Sequence, residues 1–266
     1  MEKRYTCALI TGASAGLGED FVSQLVGQVD PFVLVARRVD RLEQTADEIR
    51  KLHPETQVLV IGADISNPEK RILLEKKVSD AGLTPDLLIN NAGLGDYGEF
   101  ITGDWAMIDQ MLRVNIDALT HLTHLFLPGM VKQKRGWILN VSSLASTLAI
   151  PDFGVYAATK AYVSSFSEAL RIELQDSGVE VMSLCPGPVK TEFGEVARRE
   201  GASSGMPSAR KLFYVTKERV VEEALIGLEK GRTRVFPGMQ IAIAGWIIGS
   251  IPLFVMRLIM RSRPRR

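Results

Sequence analysis

At 266 residues the chain suits one medium α/β unit, and with 46% hydrophobic and 24% charged residues it can bury a large core. A formal net charge of +1 supplies no global attraction for nucleic acid, which is excluded as an expected partner, so any charge argument must be local. Two cysteines and three scattered histidines show no metal-ligand spacing, and no metal site is expected.

The stretch from Met1 to Thr6 is polar and runs straight into the first apolar run. It lacks signal-peptide character, so the catalytic part is expected to face a reducing cytoplasm. Short apolar runs at 7–10, 32–36, 57–61, 87–90, 137–141, 180–184 and 233–236 are continuous rather than alternating, the mark of strands covered on both faces. Segments of helical period, such as 41–52, 69–81 and 157–175, separate them. The succession predicts an α/β fold: a doubly wound parallel sheet of about seven strands, helices on both faces, crossovers right-handed. Cys7 and Cys185 lie in these runs and read as small buried hydrophobes.

The first strand leads through Thr11, Gly12, Ala13, Ser14, Ala15, Gly16, Leu17 and Gly18 into a helix. Glycines there let backbone N–H groups approach a pyrophosphate at the positive end of the helix dipole. The spacing differs from the Gly-x-Gly-x-x-Gly fingerprint, and a purely structural turn is the alternative for this segment alone. The second strand ends in Arg37 and Arg38, with Arg37 standing 19 residues after Gly18 where an NAD enzyme carries a carboxylate. A guanidinium there pairs with a 2′-phosphate in forked geometry, which favours NADP, and the Ser14 hydroxyl is a further donor. A solvated arginine pair opening a helix is the alternative. Asp64, with Ile65 beside it after the third strand, either accepts from the adenine amino group or caps the next turn. After the fourth strand come Asn91, Ala92 and Gly93, small enough for backbone to lie against a cofactor ribose. A long helix then carries Asn115, and the fifth strand runs into Ser142 and Ser143. Tyr156 stands thirteen residues beyond Ser143, and Lys160 follows it at i+4, a spacing that stacks phenol and ammonium on one helix face.

Taken together, Thr11 to Gly18, Asn90 to Gly93, Asn115, Ser143, Tyr156, Lys160 and Pro186-Gly187 resemble the short-chain dehydrogenase/reductase family in order and spacing, over roughly the first 240 residues. The resemblance implies a Rossmann fold, usually assembled as a homodimer or homotetramer, and an NADP(H)-dependent oxidoreductase passing hydride between nicotinamide and a carbonyl or secondary alcohol. Tyr156 is then the acid/base group, its pKa expected to be lowered by Lys160. Ser143 holds the substrate oxygen beside the phenol. Lys160 also grips the nicotinamide ribose, and Asn115 holds a water in a proton relay toward it. Pro186, Gly187, Val189 and Thr191 cover the nicotinamide. Candidate pocket residues Leu94, Leu144, Phe153 and Phe193 are apolar and hint at a lipophilic substrate. Two other classes of function compete: a non-catalytic NADP-binding sensor and a membrane-associated scaffold with this fold.

Residues 1–238 are expected to form the catalytic unit, with 191–216 as a substrate lid rich in glycine and serine. Residues 239–266 form a hydrophobic and then arginine-rich tail. Met239 to Met256 carry no charge, and Arg257, Arg261, Arg263, Arg265 and Arg266 follow. Eighteen residues interrupted by Pro252 barely reach the roughly 20 needed to span a bilayer. Basic flanks on both sides prefer the cytoplasm, which favours an interfacial helix with Trp246 and Phe254 in the acyl boundary. Spanning, and packing on the catalytic unit or a second subunit, remain open.

Overall fold

The computed structural model describes residues 4–199 and 214–251 together with Phe254, Val255 and Leu258. Seven parallel strands form one sheet: β1 (Ala8–Thr11), β2 (Phe32–Ala36), β3 (Val58–Gly62), β4 (Leu87–Asn90), β5 (Gly136–Val141), β6 (Val179–Leu184) and β7 (Arg234–Val235). Their spatial order is β3-β2-β1-β4-β5-β6-β7. The order reverses between β1 and β4, whose register pairs Leu9 with Leu88 and Ile10 with Ile89. A crevice opens at the carboxyl ends of strands where such a reversal occurs.

The helices lie on the two sheet faces, and the pleat decides which residues meet them. Ala8 and Ile10 of β1 point to the core shared with α1 (Leu17–Leu25), α2 (Val39–Leu52) and α8 (Lys217–Glu229). Cys7 and Leu9 point the other way, into the core shared with α3 (Pro68–Asp80), α5 (Leu119–Gln133) and α6 (Gly154–Glu173). Every β1 side chain is thus buried, so the run is apolar throughout instead of alternating. Both cysteines are buried and free, as the sequence suggested.

Helix starts follow their sequence signals unevenly. At α3 the Asn67 side chain accepts from the Glu69 and Lys70 amides at 2.8 and 3.2 Å, and Pro68 sits where a missing N–H costs nothing. At α1 no side chain caps the helix, and Gly16 holds the cap position at φ 59°. Helix α4 (Trp105–Leu112) passes into a π-helical segment, Arg113–Ala118, before α5 begins. That segment carries Asn115, which the sequence placed on an unbroken long helix.

Beyond β7, α9 (Met239–Ser250) starts in contact with the rest of the chain. Ile241 is fully buried in the core that includes Met182 and Val235. A methyl group on Gly245 would meet the Phe236 ring at 2.8 Å, so the helix lies very close to that ring. No helix among the described residues is long and apolar enough to cross a membrane. Of the expected lid, 191–199 and 214–216 are described, and α7 (Glu192–Val196) forms its first part. The remainder of the lid, and the arginines of the tail, lie outside the described residues.

Candidate active site

The turn after β1 is built for close backbone approach. Gly12 and Gly16 adopt φ of 67° and 59°, which side chains rarely tolerate. A Cβ on Gly18 would fall 2.0 Å from the Gly12 carbonyl oxygen and 2.9 Å from Asn91 Nδ2. Gly18 therefore sets the shape of the turn from behind and does not line the cleft. Thr11, to which the sequence reading gave no role, ties this turn to the loop after β4: its hydroxyl accepts from the Asn91 and Ala92 amides, both at 3.1 Å. Asn91 Nδ2 donates to the Thr11 and Gly12 carbonyls at 2.9 and 3.2 Å. The uncapped α1 amides consequently face a rigid corner, an arrangement suited to a phosphate group.

One cleft of about 940 Å³ runs from this corner across the strand ends. Its walls include Gly12, Ser14, Ala15, Gly16 and Leu17, then Arg37, Arg38, Asp64 and Ile65, then Asn91, Ala92 and Gly93. Pro186, Gly187, Val189 and Thr191 close it from β6. Arg37 is exposed and forms no hydrogen bond or ion pair among the described residues. Asp64 is partly committed: Oδ1 accepts from the Ser66 amide at 3.0 Å and its hydroxyl at 2.8 Å, the turn-capping alternative. These residues fit a dinucleotide, because an uncapped helix N-terminus and the exposed Arg37 guanidinium stand in one cleft of suitable size.

Ser143, Tyr156 and Lys160 meet in the same cleft. Ser143 caps a short turn by accepting from the Ala145 amide at 3.1 Å. Tyr156 is buried, its ring stacked on Phe153 at 4.2 Å and tilted against Phe193 at 5.6 Å. Lys160 Nζ donates to the Val141 carbonyl at 2.8 Å and lies 5.7 Å from the Tyr156 ring centroid. The expectation of a lowered phenol pKa needs correction. Burial pushes Tyr156 up to about 12, outweighing the Ser143 hydroxyl that favours ionisation. Burial also pushes Lys160 down to about 8, and its ammonium is aimed at a carbonyl.

Asn115 stands behind the wall of the cleft. Its Oδ1 accepts from the Leu94 amide at 2.8 Å, and its Nδ2 donates to the Leu94 carbonyl at 2.9 Å and to Thr159 Oγ1 at 3.0 Å. A methyl on Gly93 would lie 3.5 Å from Asn115 Oδ1 and 3.4 Å from Lys160 Nζ, so this glycine separates the two side chains. The π-helical turn directs the amide inward to clamp the loop after β4. Beneath it, Asn90, Asn140, Thr123 and Ser167 form a buried hydrogen-bonded network between β4, β5, α5 and α6 that sequence reading missed.

Leu94, Leu144, Phe153 and Phe193 line the end of the cleft beyond Tyr156. Phe193 belongs to α7, and the described residues around this helix are held by contacts that the sequence did not announce. Arg199 grips Asp96 through two nitrogens at 2.7 and 2.5 Å. Glu192 accepts from Arg38 and Arg41.

The short chain dehydrogenase family model matches residues 6–201. A very-long-chain 3-oxoacyl-CoA reductase of Anas platyrhynchos is 31% identical over 263 residues, covering 96% of this chain and 79% of the relative. The protein of the same name from Homo sapiens is 30% identical over 261 residues, covering 95% and 78%. Among solved structures, a short-chain dehydrogenase from Sphingobium yanoikuyae in complex with NADPH superposes with a TM-score of 0.79 at 28% identity, covering 98% of this chain and 97% of that one. With Ser143, Tyr156 and Lys160 gathered at the carboxyl ends of a seven-stranded parallel sheet, the chain belongs to the short-chain dehydrogenase family of oxidoreductases.

Proposed function

We propose that the protein is an NADP(H)-dependent reductase of a ketone carried on a lipophilic substrate, of the 3-oxoacyl thioester kind. The observation that carries the reading is one shared cleft, lined by Arg37, by Ser143, Tyr156 and Lys160, and by the apolar Leu94, Leu144, Phe153 and Phe193. The names of the relatives point to the same substrate class. Bound NADPH supplies hydride to the carbonyl carbon. Gly12 to Leu17 receive the pyrophosphate, Arg37 and Ser14 the 2′-phosphate, and Lys160 the nicotinamide ribose. Pro186, Gly187, Val189 and Thr191 cover the nicotinamide.

Ser143 donates to the substrate oxygen and holds it beside Tyr156. A phenol with a pKa near 12 is fully protonated at neutral pH, so Tyr156 rests as a proton donor. Transfer to an alkoxide-like oxygen is downhill, because an alkoxide is the stronger base. The charged Lys160 then eases the phenolate that remains. Asn115 keeps the Leu94 loop in place; with both amide groups so engaged it is a positioning residue first. Retention of all these side chains favours a working enzyme over a silent sensor or scaffold. The test is NADPH oxidation with 3-oxoacyl thioesters of increasing chain length. Longer chains and NADPH should be preferred, and Arg37→Asp should weaken or reverse the cofactor preference. Equal kcat/KM for NADPH and NADH in the unaltered protein would count against it.

Residues 1–238 act as the catalytic unit, assembled as a homodimer or homotetramer in keeping with the family. The tail, 239–266, lies on a membrane from the cytoplasmic side. In support, α9 buries Ile241 and Gly245 while leaving Met239, Ile243, Trp246 and Ile247 exposed, with Phe254 and Leu258 exposed beyond it. Its twelve residues extend about 18 Å, short of the roughly 30 Å of a hydrocarbon core. Lys230, Arg232 and Arg234 before it and five arginines after it suit an anionic surface. Vesicles containing phosphatidylserine should co-sediment the protein, and Trp246→Glu combined with Ile243→Glu should release it. An unaltered protein that stays in the supernatant refutes the membrane reading.

A further inference from the structure

We propose that Glu192 is a built-in competitor for the 2′-phosphate of the cofactor, occupying Arg38 and Arg41 until the phosphate displaces it. It thereby sets how strongly the protein separates NADPH from NADH. The inference rests on the NADP(H) reading above and deepens it.

Glu192 follows Thr191, whose side chain lies against the Gly16 turn, 3.4 Å from where a Cβ there would sit. Its carboxylate is divided between two arginines. Oε1 accepts from Arg41 Nη1 at 2.8 Å and Oε2 from Arg38 Nη1 at 3.2 Å. These contacts join the lid to the corner between β2 and α2, across more than 150 residues of chain. Arg37, Arg38 and Glu192 all line the cleft. Two guanidinium groups, Arg37 and Arg38, therefore line the cleft beside Glu192, whose carboxylate holds Arg38 and, outside the lining, Arg41.

The exchange is physically balanced. The Glu192, Arg38 and Arg41 side chains are 52%, 45% and 38% exposed, so both ion pairs are screened by water and readily broken. A phosphate monoester brings about −1.5 to −2 charges and three acceptor oxygens, against one charge and two oxygens for a carboxylate. The hydrogen bonds from Arg41 and then Arg38 hold the Glu192 carboxyl below the usual carboxylate range. It thus stays ionised at neutral pH and repels a phosphate that arrives while it is in place. Glu192 begins α7, whose next residue, Phe193, packs against Tyr156.

The experiment is isothermal titration calorimetry of NADPH, NADH, 2′,5′-ADP and 5′-AMP with the unaltered protein and with Glu192→Gln, which keeps size and removes charge. The expected result is a threefold to tenfold gain, in rough terms, in affinity for NADPH and 2′,5′-ADP. NADH and 5′-AMP should change by less than about twofold, and the gain should shrink at high salt. A clear NADPH preference that Glu192→Gln leaves unchanged or weakens overturns the proposal alone, as does an equal gain for NADH. Equal affinities of the unaltered protein for NADPH and NADH, with no gain in the variant, overturn the cofactor reading beneath it.

Discussion

Tyr156→Phe separates chemistry from structure at the centre of the site. The substitution removes one oxygen and keeps the ring, which stacks on Phe153 at 4.2 Å with an interplanar angle of 23°. Ser143 retains its bond from the Ala145 amide, so the turn beside the phenol keeps its shape. The Ser143 hydroxyl loses its phenol partner, and one such hydrogen bond is worth about 0.5–1.5 kcal/mol. The fold should change by about 1 kcal/mol, which in a chain this long moves Tm by roughly 2–4 °C. Catalysis should suffer far more. Loss of a positioned general acid costs about 10²–10⁴ in rate, or roughly 2.7–5.5 kcal/mol of barrier. The assay is single-turnover NADPH oxidation at saturating cofactor, run beside calorimetric NADPH binding and a melting curve. Retention of more than about a tenth of the rate refutes the proton-donor role. A fall in NADPH affinity that matches the fall in rate refutes the separation of the two effects.

Gly18→Ala should abolish NADPH binding, because its Cβ would lie 2.0 Å from a backbone oxygen that cannot move independently; titration calorimetry showing normal affinity would contradict this. The reductive rate should fall as pH rises through about 8, since burial lowers the Lys160 pKa to that value and its ammonium is lost above it. A pH–rate profile flat from 7 to about 9 counts against that role. Stability should drop steeply between about pH 9 and 12. Burial raises Cys7 and Tyr5 to about 12, so the folded protein holds protons that the unfolded chain has released. Their contribution is intact below their ordinary values and lost as pH rises through 12. Chemical denaturation across that range should show a loss on the order of a few kcal/mol, and Cys7→Ala should lessen its pH dependence.

The fold was legible because both faces of the sheet are covered, which leaves β2 wholly apolar and β1 apolar up to Thr11 at its end. Ends were less legible: β7 is two residues, Arg234–Val235, where the sequence suggested four, since only the register with Ser183 and Leu184 decides its extent. The site was legible where chemistry needs fixed spacing, as at Tyr156 and Lys160 on α6. What depended on several elements meeting was hidden. The raised Tyr156 pKa follows from burial in a cluster drawn from separate segments, with Phe153 and Phe193 against the ring and Tyr97 behind Phe153. The Asn115 clamp needs the π-helical turn, which leaves no periodicity in the sequence. Within α9, an uncharged run from Met239 gave no means of telling the buried Ile241 from the exposed Ile243. Nothing in the sequence paired Glu192 with Arg38, 154 residues away in the chain.

Hydride transfer from a nicotinamide to a lipophilic ketone leaves an isotopic mark on the product. The unaltered protein is incubated with NADPH deuterated at both C4 positions of the nicotinamide and a long-chain 3-oxoacyl thioester, and the product is read by mass spectrometry. The expected product is a 3-hydroxyacyl thioester carrying one deuterium on the carbinol carbon, formed at least about a hundredfold more slowly by Tyr156→Phe. A product without deuterium, or no product from any ketone with NADPH, would contradict it.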